Sequence, residues 1–193
     1  MKIYPYLRVL WGALTVSAAL NLAVLSSSML VLMAANVVNL LCYGATAYVL
    51  YRLSGESALL GRAFPAQLLA IALIAFALIC TQLAGDNVML QNFMSLLSMA
   101  GSVAGLLSEY YLYWGLDERI IPHAYNYPAR RIRWCLYAPL LGAMAASLFM
   151  LTMQPVLVLL AVAVQLGAQI VPLVLLWQYM RAVQMREDNP LTF

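Results

Sequence analysis

Six stretches of about 20 apolar residues, joined by short polar connections, make up most of this chain, and each is long enough to cross a bilayer. They run at approximately 8–26, 29–51, 63–83, 93–114, 135–152 and 156–179. In hydrocarbon a backbone amide must be satisfied within its own segment, so such runs fold as helices. Only 9% of the 193 residues are charged and the mean hydropathy is +0.89, whereas soluble domains carry about a quarter charged residues. The expected fold class is therefore all-α integral membrane: one polytopic domain over residues 1–193, a six-transmembrane-helix bundle with no stretch left for a separate soluble catalytic domain. The first segment has two other readings. Lys2 and Arg8 before an apolar run, with Ser26 and Ser28 beyond it, also fit a cleaved leader, and Trp11 and Tyr6 suit a helix lying in the interface.

The cations test the span count. Lys2 and Arg8 precede the first segment, Arg52 and Arg62 bracket the second connection, Arg119, Arg130, Arg131 and Arg133 lie in the fourth, and Arg181 and Arg186 follow the last. All 10 Lys and Arg thus fall on one side of a six-span chain, and the connections on the other side hold none. Because basic loops stay in the cytoplasm, both termini are expected there, in a plasma (inner) membrane. Aromatic clusters in YVLYRL, YYLYWGL and LLWQYMR end the even-numbered spans at headgroup depth, so the chain reads as three helical hairpins.

Polar side chains inside the spans are the candidates for function, because an amide in hydrocarbon is costly without a partner. Asn36, Asn39, Tyr43 and Thr46 form a stripe on one face of the second span. The first hairpin turns near Ser27, which sets Asn21 opposite Asn36, Ser17 opposite Asn39 and Ala13 opposite Tyr43. These pairs read either as hairpin glue or, through Asn36 and Asn39, as the lining of a solute site. Gln165 and Gln169 lie one turn apart in the sixth span, followed by Pro172, whose missing N–H releases the carbonyl of Ala168. A kinked helix with free polar groups at mid-membrane is a feature of solute sites in transporters. Glu109, the one acid inside a span, lies five residues before Trp114, about 7–8 Å from the boundary. There it can pair with Arg52 or carry a proton. Ser98, Gly101, Gly105 and Ser108 form a small-residue stripe suited to close helix contact.

The fourth connection, GLDERIIPHAYNYPARRIRW, holds the densest chemistry. An enzyme reading would make His123 a base oriented by Asp117 or Glu118, but no hydrolase or metalloprotease spacing is present. No catalytic residue is therefore assigned. A single histidine and three scattered cysteines give no metal site, disulfide framework or cofactor motif. Arg130, Arg131 and Arg133 fit contact with anionic lipid at the cytoplasmic face, while Tyr125 and Tyr127 could be presented to a protein partner or a second copy. Nothing points to nucleic acid. Three functions stand in order: solute transport or solute binding within the bundle; a sensory or accessory subunit docking through the 115–134 loop; and, last, an intramembrane enzyme.

Overall fold

The computed structural model describes residues 2–20, 29–84, 87–120, 126–150 and 154–189. Asn21, His123 and Tyr125, and with them the Asn21–Asn36 pairing and the His123 base, lie outside the described residues. The chain forms α1 (Tyr4–Leu20), α2 (Met29–Leu53), α3 (Ala58–Ala84), α4 (Val88–Glu118), α5 (Trp134–Met150) and α6 (Pro155–Asp188), with a 3-10 turn at Arg131–Arg133 leading into α5. Five of the six helices, α2 to α6, are long and apolar enough to cross a membrane. This is an all-α membrane fold.

Several helices outrun the segments that hydropathy marks. Apolar runs show where hydrocarbon would begin, but backbone hydrogen bonding continues beyond that depth, so α4 has 31 residues and α6 has 34. Their starts follow from capping chemistry. Ser57 Oγ accepts from the Leu60 N–H at 3.2 Å ahead of α3, and Asn87 Oδ1 accepts from the Leu90 N–H at 3.2 Å ahead of α4. Pro155 opens α6, where its missing N–H costs nothing.

Each helix packs against its neighbour in the chain, most closely within the pairs α1–α2, α3–α4 and α5–α6, and α6 returns to pack on α1. The six helices therefore close into a ring whose loosest seam lies between α4 and α5. Lipid tails are as apolar as leucine, so close packing and interhelical hydrogen bonds hold such a ring, each bond contributing about 0.6–2 kcal/mol. Small residues set the approach. A Cβ on Gly142 would stand 2.3 Å from the Ala168 Cβ, and one on Gly101 2.8 Å from Ile74 Cγ1. The partner of the small-residue stripe is α3, and Ser108 Oγ completes that contact by donating to the Ala63 carbonyl at 3.0 Å.

The packed interior is concentrated at one end of the ring, the end that carries Arg52, Arg62, Arg119 and Arg181. There Leu7, Leu10, Leu50, Leu116, Leu176 and Tyr179 are fully or almost fully buried. Side-chain donors reach across to carbonyls that α6 presents after Pro172. Trp11 Nε1 donates to the Leu173 oxygen at 2.9 Å, and the Tyr127 hydroxyl to that of Leu175 at 3.3 Å. Glu187 Oε1 accepts from the Ile3 and Tyr4 N–H groups at 2.6 and 3.2 Å, satisfying donors that the start of α1 leaves free. Away from this end the helices expose apolar side chains such as Met89 (84%) and Leu159 (74%). Patches of that kind would be an aggregation hazard in water and are ordinary against lipid.

Candidate solute cavity

Above the packed end the ring is not filled. A cavity of about 550 Å³ is lined by residues from every helix: Leu10 and Leu14 of α1, Tyr43 and Thr46 of α2, Gln67 of α3, Glu109 and Tyr113 of α4, Ala143 of α5 and Gln165 of α6. Small residues border it, among them Ala70, Gly101, Gly105, Ser108 and Ala143, so little side-chain volume is available there to fill the space. A second cavity of about 230 Å³ adjoins it and shares Leu14, Tyr43, Glu109 and Tyr113. Ser17, Asn39 and Gln169 complete its polar wall, beside Pro139 and Pro172. Tyr43 lies nine residues from Arg52, Gln169 twelve and Gln165 sixteen from Arg181. At 1.5 Å per residue these are about 14, 18 and 24 Å from those arginines along the helices, so across a bilayer core of about 30 Å the polar wall would run from the middle toward the far side.

Four of the residues proposed from sequence as site or proton-carrying groups meet at these two cavities: Asn39, Gln169, Gln165 and Glu109. Asn39 faces α1, where its Oδ1 accepts from Ser17 Oγ at 2.6 Å, the pairing that hairpin geometry requires. Asn36 does not share that face. It is exposed and lies in a cleft between α2 and α3, beside Ala75 and Ile79. A three-residue step falls 60° short of a full turn, enough to carry Asn36 off the edge of the stripe. Gln165 Oε1 is buried with no hydrogen-bond donor among the described residues.

The expected Glu109–Arg52 pair is not among the ion pairs between described residues, which include Arg119–Glu56 and Arg133–Asp117. Arg52 lies 5.7 and 5.9 Å from the ring centres of Tyr6 and Tyr48, taking its charge to the aromatic rim. Among the described residues, the ionisable neighbours of Glu109 include Tyr43, Tyr113 and Cys135, and the walls of both cavities contain no Lys, Arg or His. Comparison with family models, curated proteins and solved structures finds no match for this chain. The site must therefore be read from its own chemistry.

Three wall residues went unmarked in the sequence as site residues. Gln67 carried a signal, an amide within an apolar run, and it is 5% exposed. Tyr113 looked like one more interfacial aromatic, yet it is 2% exposed and faces Glu109. Pro139 and Pro172 both border the small cavity, so α5 and α6 each lack a backbone donor beside it. Cys135 Sγ, one turn before Pro139, is 3.8 Å from the Pro172 carbonyl.

The arginine-rich connection divides into two parts. Arg133 is committed to Asp117, whose Oδ2 accepts from Nε at 2.7 Å and also meets Nη2, and its guanidinium lies 4.8 Å from the Trp114 ring centre. Arg130 and Arg131 are exposed. The Arg130 N–H donates to Asp117 Oδ1 at 2.7 Å, which holds the residue at a φ of 64° in the left-handed region that side chains disfavour. Tyr127, expected to face a partner, is instead buried against the Tyr179 ring. Burial raises its hydroxyl above the usual tyrosine range.

Proposed function

We propose that this is a six-span membrane protein, with both termini cytoplasmic, that binds a small solute in the central cavity and carries it across the bilayer. The topology rests on the one-sided placement of all 10 cations. The function rests on a single observation: a cavity of about 550 Å³ between the helices, to which all six contribute and which polar side chains border. Ligand sites are of this size, mostly apolar, with a few converging polar groups. Packing economy does not account for it, since buried amides and a carboxyl in hydrocarbon cost free energy. The loose α4–α5 seam and the prolines that α5 and α6 each place beside the small cavity supply places where the ring can bend.

Thiol labelling tests the reading. In a background lacking Cys42, Cys80 and Cys135, single cysteines replace Ser102 at the cavity and Val103 on the outer face. N-ethylmaleimide reacts only with hydrated thiols, and it is uncharged. Labelling of Ser102→Cys with Val103→Cys left unreacted is the expected result. Equal protection of both would mean that the cavity is dry and would remove the proposal.

A further inference from the structure

The electrostatics of the cavity, taken with the solute-site reading on which this step rests, select a class of ligand. We propose that the site takes a small organic monocation, an alkylammonium or aryl-alkylammonium, with Glu109 as its counter-ion and the Tyr43 and Tyr113 rings beside it.

Charge comes first. Glu109 borders both cavities, and among the described residues their walls carry no cationic side chain. Arg52, the basic residue whose depth best suited it to neutralise Glu109, instead lies over Tyr6 and Tyr48. A carboxyl in a low-dielectric wall is costly to ionise beside an anionic or a neutral solute, whereas a bound cation compensates its charged form. Shape and surface then favour an organic cation. The Tyr43 and Tyr113 rings border the same space as Glu109, and an aromatic face attracts ammonium groups. Among the described residues no group of three His, Cys, Asp or Glu side chains could hold a metal ion. A space of about 550 Å³ is far larger than a bare cation fills and is of the size that takes small organic molecules. Hydrogen bonding points the same way, because Gln165 Oε1 at the wall is an acceptor without a donor among the described residues, and an alkylammonium N–H is a donor.

The Ser102→Cys protein provides the assay, with protection from N-ethylmaleimide as the readout. Benzyltrimethylammonium and tetraethylammonium are compared with benzyl alcohol, a neutral probe, and benzenesulfonate, an anion. At least one cation should slow labelling at concentrations at which the alcohol and the sulfonate do not. Adding Glu109→Gln should raise the protecting concentration at least tenfold, while Glu109→Asp, which keeps the charge, should recover most of the protection. Arg52→Gln, outside the cavity, should leave it unchanged. Unprotected labelling of the Glu109→Gln protein at the normal rate shows that its ring is intact. If Ser102→Cys labels but neither cation protects, or if the alcohol or sulfonate protects as well, or if Glu109→Gln protects like the parent, the cation assignment is wrong and the solute cavity stands. If Ser102→Cys does not label at all, both fall.

Discussion

The seam between α5 and α6 should depend on the absence of a side chain at Gly142, and the dependence can be worked out from geometry. A Cβ at this position would stand 2.3 Å from the Ala168 Cβ, whereas carbon atoms rest at about 3.5–4.0 Å. Both atoms are fixed to helix backbone, so no rotamer relieves the clash and the helices must separate by more than about 1 Å. Overpacking of this kind costs about 1–3 kcal/mol, and rigid partners place it in the upper half of that range. Gly→Ala within a helix returns about 1 kcal/mol of propensity, which leaves Gly142→Ala destabilised by about 1–2 kcal/mol. Ala168→Gly alone should cost about 1 kcal/mol, because it introduces a glycine without relieving anything. In the double variant the propensity terms cancel and the clash is gone, so stability should return close to that of the parent. The resulting coupling is about 2–3 kcal/mol. Reversible unfolding in mixed micelles titrated with dodecyl sulfate, followed by far-ultraviolet circular dichroism, measures all four proteins. Gly167→Ala is the control, since its Cβ would meet nothing within 4 Å. Equal stabilities for Gly142→Ala and Gly167→Ala, or additive effects in the double variant, would refute the close-contact argument.

Other outcomes follow from particular contacts. Ser17→Ala should lower stability in the same titration by about 1 kcal/mol by removing the donor to Asn39, whereas Asn36→Leu, at an exposed position, should change it by less than about 0.5 kcal/mol. Arg133→Lys should destabilise the protein because a lysine cannot reproduce the guanidinium's two-nitrogen contact with Asp117; Arg130→Lys and Arg131→Lys should not, and loss of stability in either of those would contradict the division of the cluster. The Tyr127 hydroxyl is raised by burial, so its stabilising effect should be complete below the ordinary tyrosine range and be lost as pH climbs above about 10. Tyr127→Phe should accordingly be less sensitive to alkali than the parent, and an unchanged alkaline transition would show that the group does not contribute.

Hydropathy alone determined that this chain forms long helices and roughly where each lies, because a backbone in hydrocarbon has no alternative. The Ser17–Asn39 bond was also legible, since a tight hairpin and a rise of 1.5 Å per residue leave little freedom in which positions face each other. The small-residue stripe through Gly101 and Gly105 announced a close contact but not its partner, α3. Which side chains line the cavity was decided only by the tertiary structure. Outer faces meet lipid and inner faces meet other helices, both apolar, so periodicity does not mark the inside of a membrane helix as it does for a helix in water. Asn36 and Asn39 were therefore equivalent in sequence but are separated by a rotation in space. Glu109 and Gln165, 56 positions apart in the chain, meet only because α6 closes the ring on α1. Arg52 lay at a depth that suited it to Glu109, and the direction of its long, flexible side chain, toward Tyr6 and Tyr48, was set by packing.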